Sequence, residues 1–169
     1  MMNLRPNDPF DLLEVPARFD LDLRDLKSAW MRKASRVHPD GVGSIDASVA
    51  VNDSYRVLLD PITRADALLT RYCAPTVDER CLPEGFLLAM MELRERADEA
   101  RGESSLLEQL FREARDGRSE ALNAISNAFA GVEPDGCSVS RAQLIRAKLN
   151  VVRAFDRMLE QLNREELDR

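Results

Sequence analysis

The stretch LRDLKSAWMRKASRVHPDGVG, residues 23–43, decides how this chain is read. Leu23, Leu26, Trp30, Ala34 and Val37 recur at three- and four-residue steps, so they share one face of a helix. Pro39 ends that helix and turns His38 away from helical dihedrals. His38-Pro39-Asp40 therefore sits on a loop at the end of a rigid rod, followed by the glycine-bearing Gly41-Val42-Gly43, where a partner can reach it. Arg24, Lys27, Arg32, Lys33 and Arg36 stand against the single Asp25, giving the rod a strongly basic surface. Residues 47–59, with Val51, Tyr55, Leu58 and Leu59, have the periodicity to fold back on it as a helical hairpin.

A basic helix, His-Pro-Asp, a loop and a returning helix resemble the J-domain, through which co-chaperones engage DnaK-type chaperone ATPases. The resemblance covers residues 7–72. In J-domains the residue after the tripeptide is usually lysine; here it is Gly41. The resemblance implies that His38 and Asp40 contact the ATPase at its nucleotide-binding domain and linker. Pro39 would fix the loop, and Arg24, Lys27, Arg32, Lys33 and Arg36 would steer encounter. The plainer reading is a turn proline beside a capping aspartate, with basic residues serving solubility alone.

The rest of the N-terminal part supports an all-helical unit. Asp8-Pro9 and Asp60-Pro61 both read as helix starts, the aspartate capping and the proline in the first turn, where its missing N–H costs nothing. Asp22 is placed to cap the basic helix, and Ser44 or Asp46 the returning one. Ile62, Ala65, Leu68, Leu69 and Tyr72 mark a further helix. Residues 75–82, with Pro75, Thr76 and Asp78, break the pattern and read as a linker between a domain at 1–74 and another at 83–169.

Three longer helices are expected beyond it. The first runs from Pro83 to about Arg101 and the second from a capping box at Ser105 and Glu108 towards Phe129, with Gly117 as a bend or a break. The third starts near Ser138 or Ser140 and continues to about Leu167, carrying Leu144, Val151, Val152, Phe155, Leu159 and Leu162. An antiparallel three-helix bundle is the economical arrangement, making the chain all-α.

The helix after Pro83 has more apolar residues than a bundle uses. At ~100° per residue, Phe86, Met90, Leu93 and Ala97 fall within about 60° of one another. Leu87, Leu88 and Met91 lie about 100–200° away, bordered by Glu92, Glu95 and Glu99. An apolar patch rimmed by carboxylates suits a protein partner, although packing under the first domain's helices would also use it.

The run Phe86-Leu87-Leu88-Ala89-Met90-Met91-Glu92-Leu93-Arg94-Glu95 is similar to the signature of the HscB family, J-domain co-chaperones of iron–sulfur cluster assembly. The openings Asp8-Pro9-Phe10-Asp11-Leu12-Leu13 and Pro16-Ala17-Arg18-Phe19, and Arg64-Ala65-Asp66-Ala67-Leu68-Leu69, also resemble that family. The resemblance implies that the C-terminal domain binds the cluster scaffold protein IscU. Leu87, Leu88 and Met91 would take the apolar roles and Glu92 and Glu95 the acidic ones. A further, aromatic contact in the last helix falls on or near Val151, with Phe155 one turn later. A J-domain protein serving a different client is the alternative.

Composition is consistent with such an adaptor. The 169 residues carry a net charge of −6, which disfavours nucleic acid as a partner. No apolar run approaches the ~20 residues of a membrane helix, and the start lacks a signal peptide's apolar core, so the cytoplasm is the expected location. The three cysteines, Cys73, Cys81 and Cys137, form no Cys-x-x-Cys pair, so neither a disulfide framework nor a zinc site is expected, and no cofactor is implied. Enzyme chemistry at His38 and Asp40 would need a pocket and a nucleophile. The chain has no other histidine, phosphate loop or clustered metal ligands to supply them.

Overall fold

Asp8 shows how closely local sequence sets local structure. In the computed structural model, which describes residues 8–37, 44–73, 78–100, 103–130, 132 and 136–167 (backbone alone at 165–167), its carboxylate accepts hydrogen bonds from the amides of Phe10 and Asp11. This opens α1, Pro9–Leu13. Asp22 does the same for α2, Leu23–Arg36, Ser44 for α3, Ile45–Leu59, and Asp60 for α4, Pro61–Tyr72. Each side-chain oxygen satisfies backbone donors that the helix leaves unpaired. His38-Pro39-Asp40 and the loop after it lie outside the described residues.

The remaining helices are α5, Phe86–Glu99, α6, Ser104–Ala130, and α7, Val139–Leu167. The described residues contain no named strand, only an isolated bridge between Cys73 and Cys137. Helix α5 starts at Phe86 rather than Pro83, because Gly85 adopts φ +74°, a left-handed conformation no helix continues. Helix α6 begins one residue before the expected cap Ser105.

The chain divides into two compact units, Met1–Pro75 with Phe129–Cys137, and Thr76–Ala128 with Ser138–Arg169. The first contains the α2–α3 hairpin. Trp30 stacks on Tyr55 with ring centroids 4.8 Å apart, and its indole N–H donates to Asn52 Oδ1 at 2.9 Å. Leu26, Ala29, Val51 and Leu58 are buried, whereas Leu23, in the first turn of α2, is half exposed. Arg71 of α4 joins Asp8 at 2.7 Å and Asp11 at 3.1 Å, tying the end of α4 to the start of α1. Arg64 is buried, donating to the carbonyl of Leu58 at 2.8 Å while lying over the ring of Phe19. Phe19 in turn stacks on Phe129, 5.8 Å away, which is why the end of α6 belongs to this unit rather than to the C-terminal bundle.

The cysteine expectation is corrected here. Cys73 and Cys137 form a disulfide across 64 residues, their Cα atoms 4.9 Å apart; Cys81 stays free. The Cys137 amide donates to the carbonyl of Tyr72, and Gly136, at φ +123°, permits this approach. A Cβ there would lie 3.2 Å from that same carbonyl oxygen.

In the second unit α5, α6 and α7 enclose one core that includes Met90, Leu93, Ala97, Leu110, Met158 and Leu162. Helix α6 is antiparallel to both neighbours. Phe86 faces Gly117 while Arg96, later in α5, pairs with Glu113, earlier in α6; Arg118 pairs with Asp156, while the earlier Glu108 and Phe111 lie beside Asn163. Gly117 does not break α6, which runs through it as one helix. Its missing side chain makes room for the ring of Phe155, which a Cβ would overlap. The segment expected as a linker is pinned in part. Gln143 donates to the carbonyl of Asp78 at 2.8 Å, and Asn150 to those of Glu79 and Cys81 at 2.9 Å each.

Candidate partner-binding surfaces

Two surfaces stand out, one in each unit. On α2 the buried Leu26 and Ala29 set the inner face, leaving Arg24, Lys27, Arg32 and Arg36 exposed. Lys33 is turned inward by the same periodicity and pairs with Glu14, just past α1. Its hydrogen bond and charge hold the Glu14 carboxyl below its ordinary pKa. Lys33 is thus half-buried and already partnered, unlike the picture of five equivalent cations. Met31 was not singled out by the sequence, yet it is 56% exposed on the basic side.

The second surface lies on α5. Leu87, Leu88 and Met91 are 63%, 62% and 52% exposed, while Met90, Leu93 and Ala97 on the opposite side are buried. Glu92, Glu95 and Glu99 are exposed beside them. The helix therefore has two apolar faces, and the bundle consumes only one. Phe86 sits at the seam, edge-on to Phe155 with centroids 5.7 Å apart.

The two α7 positions do not join that patch. Val151 is 5% exposed and offers no surface to a partner. Phe155 is half-buried against the bundle core, filling the space beside Gly117. The helix's inward spacing, Ile145, Leu149, Val152, Met158 and Leu162, leaves these neighbours little room to face out. What α7 does bring near the patch is cationic. Arg153 and Arg157, with Arg94 of α5 and Arg80, line a groove of about 280 Å³ beside Leu87 and Met91. The signal was present as Asn150, Arg153 and Arg157 at three- and four-residue spacing, one stripe of a helix.

Among the described residues no cluster of three or more His, Cys, Asp or Glu side chains could hold a metal ion. No helix among them is long and apolar enough to cross a membrane.

A co-chaperone HscB homologue of Bordetella petrii is 33% identical to this chain over 131 residues, covering 71% of the chain and 77% of the relative. The chain belongs to the HscB co-chaperone family. A second HscB homologue, from Chromobacterium violaceum, is 38% identical over 64% of the chain and 68% of its own length. The family's C-terminal model, described as the HSCB C-terminal oligomerisation domain, matches residues 82–154, which hold α5, α6 and half of α7. The crystal structure of human co-chaperone HscB superposes with a TM-score of 0.80 at 22% identity, over 98% of this chain and 86% of the human one. HscB from Vibrio cholerae gives 0.72 at 21% identity, over 95% and 98%. The fold is thus the HscB fold, an all-α chain with an N-terminal J-domain hairpin and a C-terminal three-helix antiparallel bundle.

Proposed function

We propose that this HscB-family chain is a coupling adaptor that carries an IscU-type iron–sulfur scaffold to a DnaK/HscA-type chaperone and stimulates that chaperone's ATP hydrolysis. The scaffold rests on Leu87, Leu88 and Met91, with Glu92 and Glu95 as its acidic border. His38-Pro39-Asp40 engages the ATPase, and Arg24, Lys27, Arg32 and Arg36 steer the encounter, with Lys33 contributing what its bond to Glu14 leaves. Hydrolysis takes place in the partner's active site, so this chain is no enzyme and needs no cofactor of its own. It acts by preferring the hydrolysis-competent state of the ATPase, because a binder can only shift an equilibrium by its differential affinity for the two states. Holding both proteins on one chain raises their effective concentration. The cytoplasm is where these partners would meet.

The observation that carries this reading is the second apolar face of α5. Fully burying such a side chain yields roughly 1.5–3 kcal/mol, so three left more than half in water are a standing cost unless a partner covers them. Replacing Leu87, Leu88 and Met91 together with alanine should weaken scaffold binding by about 100-fold or more, read by titration calorimetry. Folding and basal stimulation of the ATPase should stay intact, since none of the three supports the core. Unchanged scaffold affinity would instead favour a J-domain protein with another client.

A further inference from the structure

The patch on α5 has two charged borders of opposite sign. Glu92 and Glu99 lie on one side of Leu87, Leu88 and Met91; Arg94 lies on the other, facing the groove shared with α7. There Arg80, Arg94, Arg153 and Arg157 surround Leu82, Leu87 and Met91, with Glu79 as the one carboxylate among the lining residues. In a chain of net charge −6, four guanidinium groups around one small groove go against the overall trend. Arg80, Arg94 and Arg157 are exposed, and among the described residues no carboxylate pairs with Arg94 or Arg157.

The groove is also built rather than incidental. Asn150 donates to the carbonyls of Glu79 and Cys81 at 2.9 Å each, which fastens the backbone on both sides of Arg80 to α7. The same Asn150 accepts from Arg153 at 3.2 Å, orienting that guanidinium. One side chain thereby positions two of the four cations. Its apolar floor continues into the exposed patch through Leu87 and Met91.

We infer that this basic groove receives a carboxylate-bearing segment of the scaffold, so that the partner docks on α5 in a single orientation, its acidic element over Arg94 and Arg157 and its basic element over Glu92 and Glu99. The inference rests on the scaffold reading above and adds the chemistry of what is recognised. Guanidinium forks pair with carboxylates in planar geometry, and their placement at the edge of an apolar contact gives register and encounter rate more than bulk affinity. A flipped partner would set like charges against each other on both borders. That penalty selects the orientation.

The test titrates the IscU-type scaffold into the full chain, the Arg94→Glu/Arg157→Glu variant, the milder Arg94→Gln/Arg157→Gln variant and Leu88→Ala/Met91→Ala, each at low and high salt. The glutamate variant should lose about 10-fold or more in affinity and the glutamine variant less, with a flatter salt dependence in both. Leu88→Ala/Met91→Ala should lose affinity equally at both salt concentrations. If the arginine variants bind as the parent does while Leu88→Ala/Met91→Ala is weakened, the groove is a solvated face, and the inference falls alone. If neither set weakens binding, the scaffold reading falls with it.

Discussion

Gly117 shows what a residue can mean in a helix when its partner lies far along the chain. Glycine inside a helix costs about 1 kcal/mol relative to alanine, so a bend or break was the local reading. The structure gives another reason, the ring of Phe155 pressed where a Cβ would stand. Nothing in the spacing of α6 could show that, because the ring comes from α7. The same packing half-buries Phe155, one of the two α7 positions for which the family resemblance implied a scaffold contact. Gly117→Ala gains the propensity term but forces the ring to move inside a packed seam, where overpacking typically costs about 1–3 kcal/mol. We expect a net loss of about 1 kcal/mol in urea denaturation. In a Phe155→Leu background the same change should be neutral or stabilising. A stabilised single variant would contradict the packing account.

At the scale of elements, local signals and distant contacts divide cleanly. The caps Asp8, Asp22 and Asp60 were legible because capping joins neighbours in sequence. The double apolar face of α5 was legible because a helix's period alone sorts its residues. What joins one helix to another was not. Arg71 of α4 holds both Asp8 and Asp11 of the α1 region, and no period links positions so far apart. Burial works against the charge on Arg71, but hydrogen bonds with Asp11 and Asp8 more than offset it and raise its pKa. Asp8 is thus both cap and ion-pair partner. Arg71→Met should leave two nearly buried carboxylates without their cation and cost about 3 kcal/mol, measured by chemical denaturation. A loss below about 0.5 kcal/mol, the range of an ordinary surface change, would show that the clasp does not hold α1 to α4.

For the whole molecule, the covalent link between Cys73 and Cys137 was the feature the sequence hid most completely. An odd count of cysteines without close pairs argued against a disulfide, and only the fold brings the end of α4 beside the segment after α6. A crosslink over 64 residues restricts the unfolded chain by about 4 kcal/mol. At roughly 2–4 °C per kcal/mol for a chain of this size, reduction by a dithiol should lower Tm by about 10 °C, and Cys137→Ser should remove the difference. Equal Tm with and without reductant in the parent chain would mean that the bond does not form. A reducing cytoplasm keeps thiols free, so the linked form is the oxidised one. The adaptor reading does not depend on it.

That reading depends on one chain triggering an ATPase with one surface while holding cargo with another. Single-turnover ATP hydrolysis by a DnaK/HscA-type chaperone, with this protein and an IscU-type scaffold added separately and together, measures it directly. The account predicts that the protein alone accelerates hydrolysis, that scaffold and protein together accelerate it more than the sum of each, and that His38→Gln abolishes the effect while leaving scaffold binding unchanged. Undiminished acceleration by His38→Gln, or no acceleration by the parent protein, would contradict it.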